Sequence, residues 1–354
     1  MKFQENSLDP SSPSGFLFSL LSSESLYVAV GANCTSWTSR DGTNWNVQPN
    51  TLFPNCTGSG GATINAVAYG NGKFVAVGSL TSGTAGCGIW SSTDGRKWIQ
   101  STCGGGMATP LHSVAYNGSN FVAGAEDNYP TFATHFIQQS DATASTWTQV
   151  SFGATAINGF VSSVISVGGT YYATISTVDS FTSSNNGGTW SQFSSSLTSL
   201  GAYASSTSSP LKITAGSGSR LIVYGTSSTF IPDWSYTDDL GVTWTTRTST
   251  AGANTGFNAA VYNPVSSFFV ALGTTCLLGL SSTGGTNMDP PTNMQSGCST
   301  TTWNALVVNP KSGLLVAAGT NENFAYSPLL GAPGSWTIST TGNTNTVNSI
   351  ALRP

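Results

Sequence analysis

Few side chains in this sequence are placed to do chemistry. Glu126 and Asp127 adjoin in Gly124-Ala125-Glu126-Asp127-Asn128-Tyr129-Pro130. Neighbouring carboxylates can bind a cation or serve as acid and base, with Tyr129 as an adjacent aromatic, although a solvated loop is the plainer reading. Asp233 beside Trp234, and Glu322 between Asn321 and Asn323, stand in comparable loops further along. These six are the candidate ligand-binding positions, and no residue is assigned a catalytic role. Cleaving a glycosidic bond needs two facing carboxylates, and most of the 14 acids lie in turns or near the N-terminus. The sequence has no Gly-x-Ser-x-Gly elbow, nucleotide loop or His-rich metal motif, and its two histidines, His112 and His135, stand apart. Neither a metal nor a cofactor is expected.

A recurring turn organises the chain between these loops. Its fullest copy is Thr237-Asp238-Asp239-Leu240-Gly241-Val242-Thr243-Trp244, and Ser183 to Trp190 repeats it with Asn185 for the acid. A form one residue shorter runs from Ser39 to Trp45 around Asp41 and from Ser92 to Trp98 around Asp94. Asp141 to Trp147 is a looser copy, Ser282 to Met288 has lost acid and ring, and Ser327 to Trp336 keeps little beyond its ends. Asp or Asn accepts hydrogen bonds from amides two residues on, and Gly takes the positive φ of a tight hairpin. The Trp packs over the turn as the next strand begins. Asp41, Asp94, Asp141, Asn185 and Asp239, with Trp45, Trp98, Trp147, Trp190 and Trp244, are therefore assigned to structure.

This pattern resembles the Asp-box, or BNR, repeat of sialidase-type β-propellers, where the turn joins the third and fourth strands of each blade. The stretches Ala68 to Gly78 and Ser92 to Trp98 resemble more closely the repeat type of bacterial envelope proteins and of phage tail or fibre proteins. A sialidase needs three arginines around a carboxylate, a Tyr/Glu nucleophile pair and an acid/base Asp. Here Arg40 and Arg96 lie inside turns and Arg353 is next to last, leaving Arg220 and Arg247. The resemblance thus implies the scaffold without that enzyme's site. The chain also looks something like the seven-bladed photosystem assembly factors, but it has too few arginines for their arginine patch.

Apolar strands ending in Gly recur about every 48 residues, for example Leu26 to Gly31, Phe74 to Gly78 and Leu314 to Gly319. Each follows a strand of small and apolar residues suited to a crowded centre, such as Ile64 to Tyr69. The reading is all-β: residues 1–15 form an extended arm and 16–354 a single seven-bladed β-propeller of four-stranded blades. Blades begin near 16, 64, 111, 161, 213, 257 and 303, and 347–354 supply a ring-closing strand. Phe16 to Leu21 and Val347 to Leu352 both suit the innermost place of the first blade. Third strands carry Trp37, Trp90, Phe181, Trp234 and Tyr326, which either pack between blades or stack on sugar rings.

Only 7% of residues are charged and the net charge is −4, so no basic stripe exists to follow nucleic acid. No apolar run is long enough for a membrane span. Cys34 with Cys56, Cys87 with Cys103, and Cys276 with Cys298 are the simplest of fifteen pairings, each tying the start of a third strand to the segment after the fourth. A zinc site is the poorer alternative, since no Cys-x-x-Cys occurs. Disulfides imply an oxidising location, extracellular or on a virion surface. The expected role is a non-catalytic surface or virion module that binds glycan, a protein receptor or a neighbouring subunit. A glycoside-active enzyme with a different site on the same scaffold is the alternative.

Overall fold

The computed structural model describes residues 25–49, 52–56, 62–80, 87–104, 110–126, 136–151, 160–175, 180–192, 211–226, 232–248, 256–290, 292–296, 298, 300–328, 331–340 and 344–354. The arm at 1–15, Phe16 to Leu21, Asp127 and Tyr129 lie outside these residues. Seven antiparallel blades of four strands make the β-propeller, with two short 3₁₀ turns among the described residues.

The innermost strands are Val347–Arg353, Ile64–Gly70, Leu111–Tyr116, Val161–Val167, Lys212–Ala215, Phe257–Asn263 and Trp303–Val308. Each touches the next, and Trp303–Val308 returns to Val347–Arg353, so they ring a central channel. Burial follows position. Second strands are covered on both faces and read as continuous apolar runs, as in the wholly buried Leu26–Gly31. Fourth strands, such as Asn46–Gln48 and Ser191–Gln192, are mostly exposed.

The first blade takes its innermost strand from the far end of the chain. Val347–Arg353 pairs antiparallel with Leu26–Gly31, from Leu26↔Arg353 to Gly31↔Val347. Of the two rival segments, the later one therefore holds this place. Val347 and Ala351 pack inward to the blades while Asn348 and Ser349 line the channel, the division an innermost strand needs.

The seven turns sit between third and fourth strands. In the short form, Gly42 N donates to Ser39 Oγ (2.9 Å), and Thr43 N and Asn44 N both donate to Asp41 Oδ1 (2.8 Å each). In the long form, Gly241 N donates to Thr237 Oγ1 (3.0 Å) and Thr243 N to Asp239 Oδ1 (2.9 Å). The turn that lost its acid uses a hydroxyl instead, Asn287 N donating to Thr283 Oγ1 at 3.0 Å. The missing residue also redirects the tryptophan. Trp190 and Trp244 in long turns donate their indole N–H to the Gly187 and Gly241 carbonyls (3.0 and 3.1 Å). In the short turns the indole N–H of Trp45 and of Trp98 has no acceptor among the described residues, and the rings stack on Phe324 (4.2 Å) and Phe53 (4.7 Å). Asp239 is held at about 2 by the Thr237 and Thr243 hydroxyls and the Thr243 amide. Partial burial pushes Asp41 up, but the Asn44 and Thr43 amides and the Asn44 and Ser39 side chains outweigh it and hold it well below the carboxylate range.

All three expected disulfides are present. Cys34–Cys56 and Cys276–Cys298 each tie the turn before a third strand to the segment after the fourth. Cys87–Cys103 reaches further, because Thr102–Cys103 pairs in parallel with Thr146–Ser151, the outermost strand of the third blade. That bridge ties the second blade to the third.

Candidate functional site

At the start of the central strand of every blade a polar residue follows a buried apolar one: Asn65, His112, Ser162, Lys212, Asn258, Asn304 and Asn348. In six of the blades this residue is the extra one of a β-bulge. Ile64 pairs with Gly78 and Ala66 with Val77, so Asn65 has no partner in the ladder. The same skip isolates His112, Ser162, Asn258, Asn304 and Asn348. A bulge bends the strand and re-aims its extra side chain. It also explains the glycine that ends most second strands. A Cβ on Gly78 would stand 2.1 Å from the Thr63 carbonyl oxygen, and on Gly319 2.1 Å from that of Thr302.

The bulged side chains clasp the next blade. Asn65 Nδ2 donates to the Leu111 carbonyl (2.8 Å), Asn304 Nδ2 to that of Val347 (3.1 Å) and Asn348 Nδ2 to that of Ile64 (2.9 Å). Ser162 Oγ reaches the Leu211 carbonyl at 2.5 Å. Lys212 belongs to the one blade without the skip, in register with Tyr224, and its Nζ donates to the Asn258 carbonyl at 2.6 Å. Two residues deeper the wall turns mainly apolar: Val67, Val114, Val164, Thr214, Ala260, Leu306 and Ile350. Polar ring and apolar layer together enclose a cavity of about 290 Å³ open to solvent.

The electrostatics of this mouth are uneven. Burial pushes Lys212 down to about 8, and no carboxylate among the described residues pairs with it. His112 Nε2 lies 3.3 Å from Glu126 Oε2, and its ring packs 4.3 Å from that of Phe160. Burial lowers the His112 pKa, with Glu126 opposing. Burial raises the Tyr224 hydroxyl.

The four candidates that lie among the described residues, Glu126, Asp233, Trp234 and Glu322, stand in different surroundings. Glu126 borders the mouth through His112, while the backbone of Asp233 lies in the third strand Pro232–Thr237, opposite Thr248 and Gly225. Trp234 is buried, its indole N–H donating to the Gly285 carbonyl of the next blade at 2.9 Å, so it is a packing residue rather than a ligand-facing ring. Trp37, Trp90 and Phe181 are buried likewise. Glu322 is fully buried rather than set in an open loop. Its carboxylate accepts from Trp37 Nε1 (3.3 Å) and Asn345 Nδ2 (2.8 Å), and its own N–H donates to the Asn345 carbonyl (2.7 Å). It thereby links the same two segments of the seventh blade that a disulfide links in the first and sixth. The backbone agrees: Cys34, Cys276 and Glu322 all have positive φ, of 56, 59 and 50°.

Sequence reasoning missed Lys212 and the rest of the ring. Their signal is a polar column at the repeat spacing, each member preceded by a buried apolar residue. Among the described residues no group of three or more His, Cys, Asp or Glu could hold a metal ion. None of their helices is long and apolar enough to cross a membrane.

Fold and channel mouth define a seven-bladed propeller with bulged, cross-clasped inner strands. No protein-family model matches the sequence, and no curated protein sequence matches it. Solved structures similar in fold include YCF48 bound to D1 peptide, at 15% identity and a TM-score of 0.56, over 82% of this chain and 85% of that one. YCF48 from Cyanidioschyzon merolae is similar at 12% identity and 0.54, over 82% and 94%. The WD40 propeller domain of Doa1 is similar at 13% identity and 0.53, over 81% and 84%. At these identities the likeness is one of fold.

Proposed function

We propose that this chain is a non-catalytic recognition propeller whose channel mouth and adjoining loops bind a protein partner. The observation that carries this reading is the ring of seven polar side chains around one opening. Beyond the bonds that clasp neighbouring blades, it presents polar groups on all sides above an apolar layer of the channel wall, which suits holding a ligand. The likeness to a propeller whose structure carries a peptide supports a polypeptide as that ligand. Burial of Trp37, Trp90, Phe181 and Trp234 removes four of the rings proposed to stack on sugars, which favours protein over glycan. Three disulfides favour an oxidising setting, and a cell or virion surface is the placement we assign.

The test is to probe the oxidised protein against a peptide array and a glycan array in parallel. Retention on peptides, abolished by Asn304→Trp at the mouth, is the expected outcome. Retention on a defined sugar family with blank peptides would overturn the reading.

A further inference from the structure

Lys212 stands apart from the other ring members. It carries the one lysine or arginine charge among the described residues lining the cavity. Its single hydrogen bond among the described residues goes to the Asn258 carbonyl, and an ammonium has three hydrogens to donate. The side-chain amide of Asn258, on the neighbouring blade, makes no hydrogen bond within the described residues and also lines the cavity. Two groups with unspent donors, one of them a full charge, therefore line the same mouth, with the apolar layer of Val164, Ala260, Leu306 and Ile350 beneath them. The lowered Lys212 pKa fits a buried cation with no counter-charge among the described residues.

We propose that this mouth binds a carboxylate carried on a short apolar group. The carboxylate meets the Lys212 ammonium and the Asn258 amide, a charge-assisted pairing, and the apolar group lies on the layer beneath. About 290 Å³ is room for roughly ten waters at about 30 Å³ each, enough for a carboxylic acid of about a dozen heavy atoms. A free acid and the C-terminus of a peptide present the same chemistry. In the second form the proposal rests on the protein-recognition reading above.

The experiment is isothermal titration of the full oxidised chain at pH 7 with N-acetyl-leucine and with N-acetyl-leucinamide, which differ in the charge and not in the apolar group. A hexapeptide ending in leucine, with free and amidated C-terminus, forms the second arm. The acids are expected to bind at least about tenfold tighter than the amides, about 1.4 kcal/mol. Lys212→Met should erase the difference and Lys212→Arg should retain most of it. Affinity should fall as pH rises through about 8, where Lys212 loses its charge. The other titratable groups of the wall among the described residues are His112, lowered and contacted by Glu126, and Tyr224, raised. Neither gains nor loses its proton across that step. Binding of N-acetyl-leucine without the hexapeptide identifies a small-molecule ligand, and tighter binding of the free hexapeptide identifies a C-terminus. Equal affinity of acid and amide in both arms, or binding of neither up to about 10 mM, overturns the proposal. The comparison on the unaltered protein decides this even if a Lys212 variant fails to fold. Should array peptides bind while acid and amide behave alike, the carboxylate site falls and protein recognition stands.

Discussion

The two ends of the propeller are secured by opposite means. At the end with the third-to-fourth turns, each loop closes on itself through several short hydrogen bonds between residues two to four apart, as around Asp41 and Asp239. At the other end, one residue pair per blade joins distant segments: disulfides spanning 22, 16 and 22 residues, and the Glu322–Asn345 pair spanning 23. Shared loads tolerate substitution, which is why Asn185 replaces an acid and the Thr283 hydroxyl replaces a carboxylate with the turn intact. A single link has no such redundancy.

The largest expected effects therefore lie at the disulfide end. Replacing a cysteine pair with serines, Cys276→Ser and Cys298→Ser for instance, should cost about 3 kcal/mol in a denaturant melt. A loss under about 1 kcal/mol would remove the contrast between the ends. Glu322→Ala should cost about 2–3 kcal/mol, because the buried Trp37 indole N–H and the half-buried Asn345 amide lose their acceptor. Glu322→Gln, which keeps an acceptor oxygen, should cost measurably less in the same melt. At the turn end, Gly95→Ala should cost about 1–2 kcal/mol. The new Cβ would sit 2.5 Å from Val28 Cγ2 of the preceding blade, at a φ of +70°.

The smallest effect concerns charge. Asp239→Asn should leave the melting temperature at pH 7 nearly unchanged, since an Asn does this work in the fourth blade. It should, however, reduce acid sensitivity. The folded Asp239 pKa of about 2 lies below its ordinary 3.8, so its contribution is complete above about pH 4 and is lost as pH falls toward 2. A pH-dependent melt between 2 and 6 that is the same for variant and parent would break this account.

The turn chemistry made the architecture legible. Asp, Gly and Trp at fixed offsets give away the third-to-fourth hairpin, and the repeat length gives the blade. The strand-end glycine was visible too, although its reason, the bulge opposite, emerges only when Gly78 is seen against the Thr63 carbonyl. Glu322 was misplaced because a buried carboxylate serving a disulfide's role looks, in sequence, like an acid in a polar loop. Lys212 was missed because its strand was read from Ile213 onward, one residue late. A lone lysine beside a strand carries no signal until six other polar residues stand beside it in a ring.

The pairing of Val347–Arg353 with Leu26–Gly31 sets an order on the protein's making. Blades two to seven draw their strands from contiguous stretches and can assemble as they leave the ribosome. The first blade cannot. At about 5–20 residues per second, Leu26–Gly31 presents an open edge for some tens of seconds before its partner is translated. During that interval a neighbouring nascent chain can offer the same strand, so crowded polysomes are where interlocked dimers of this protein would arise.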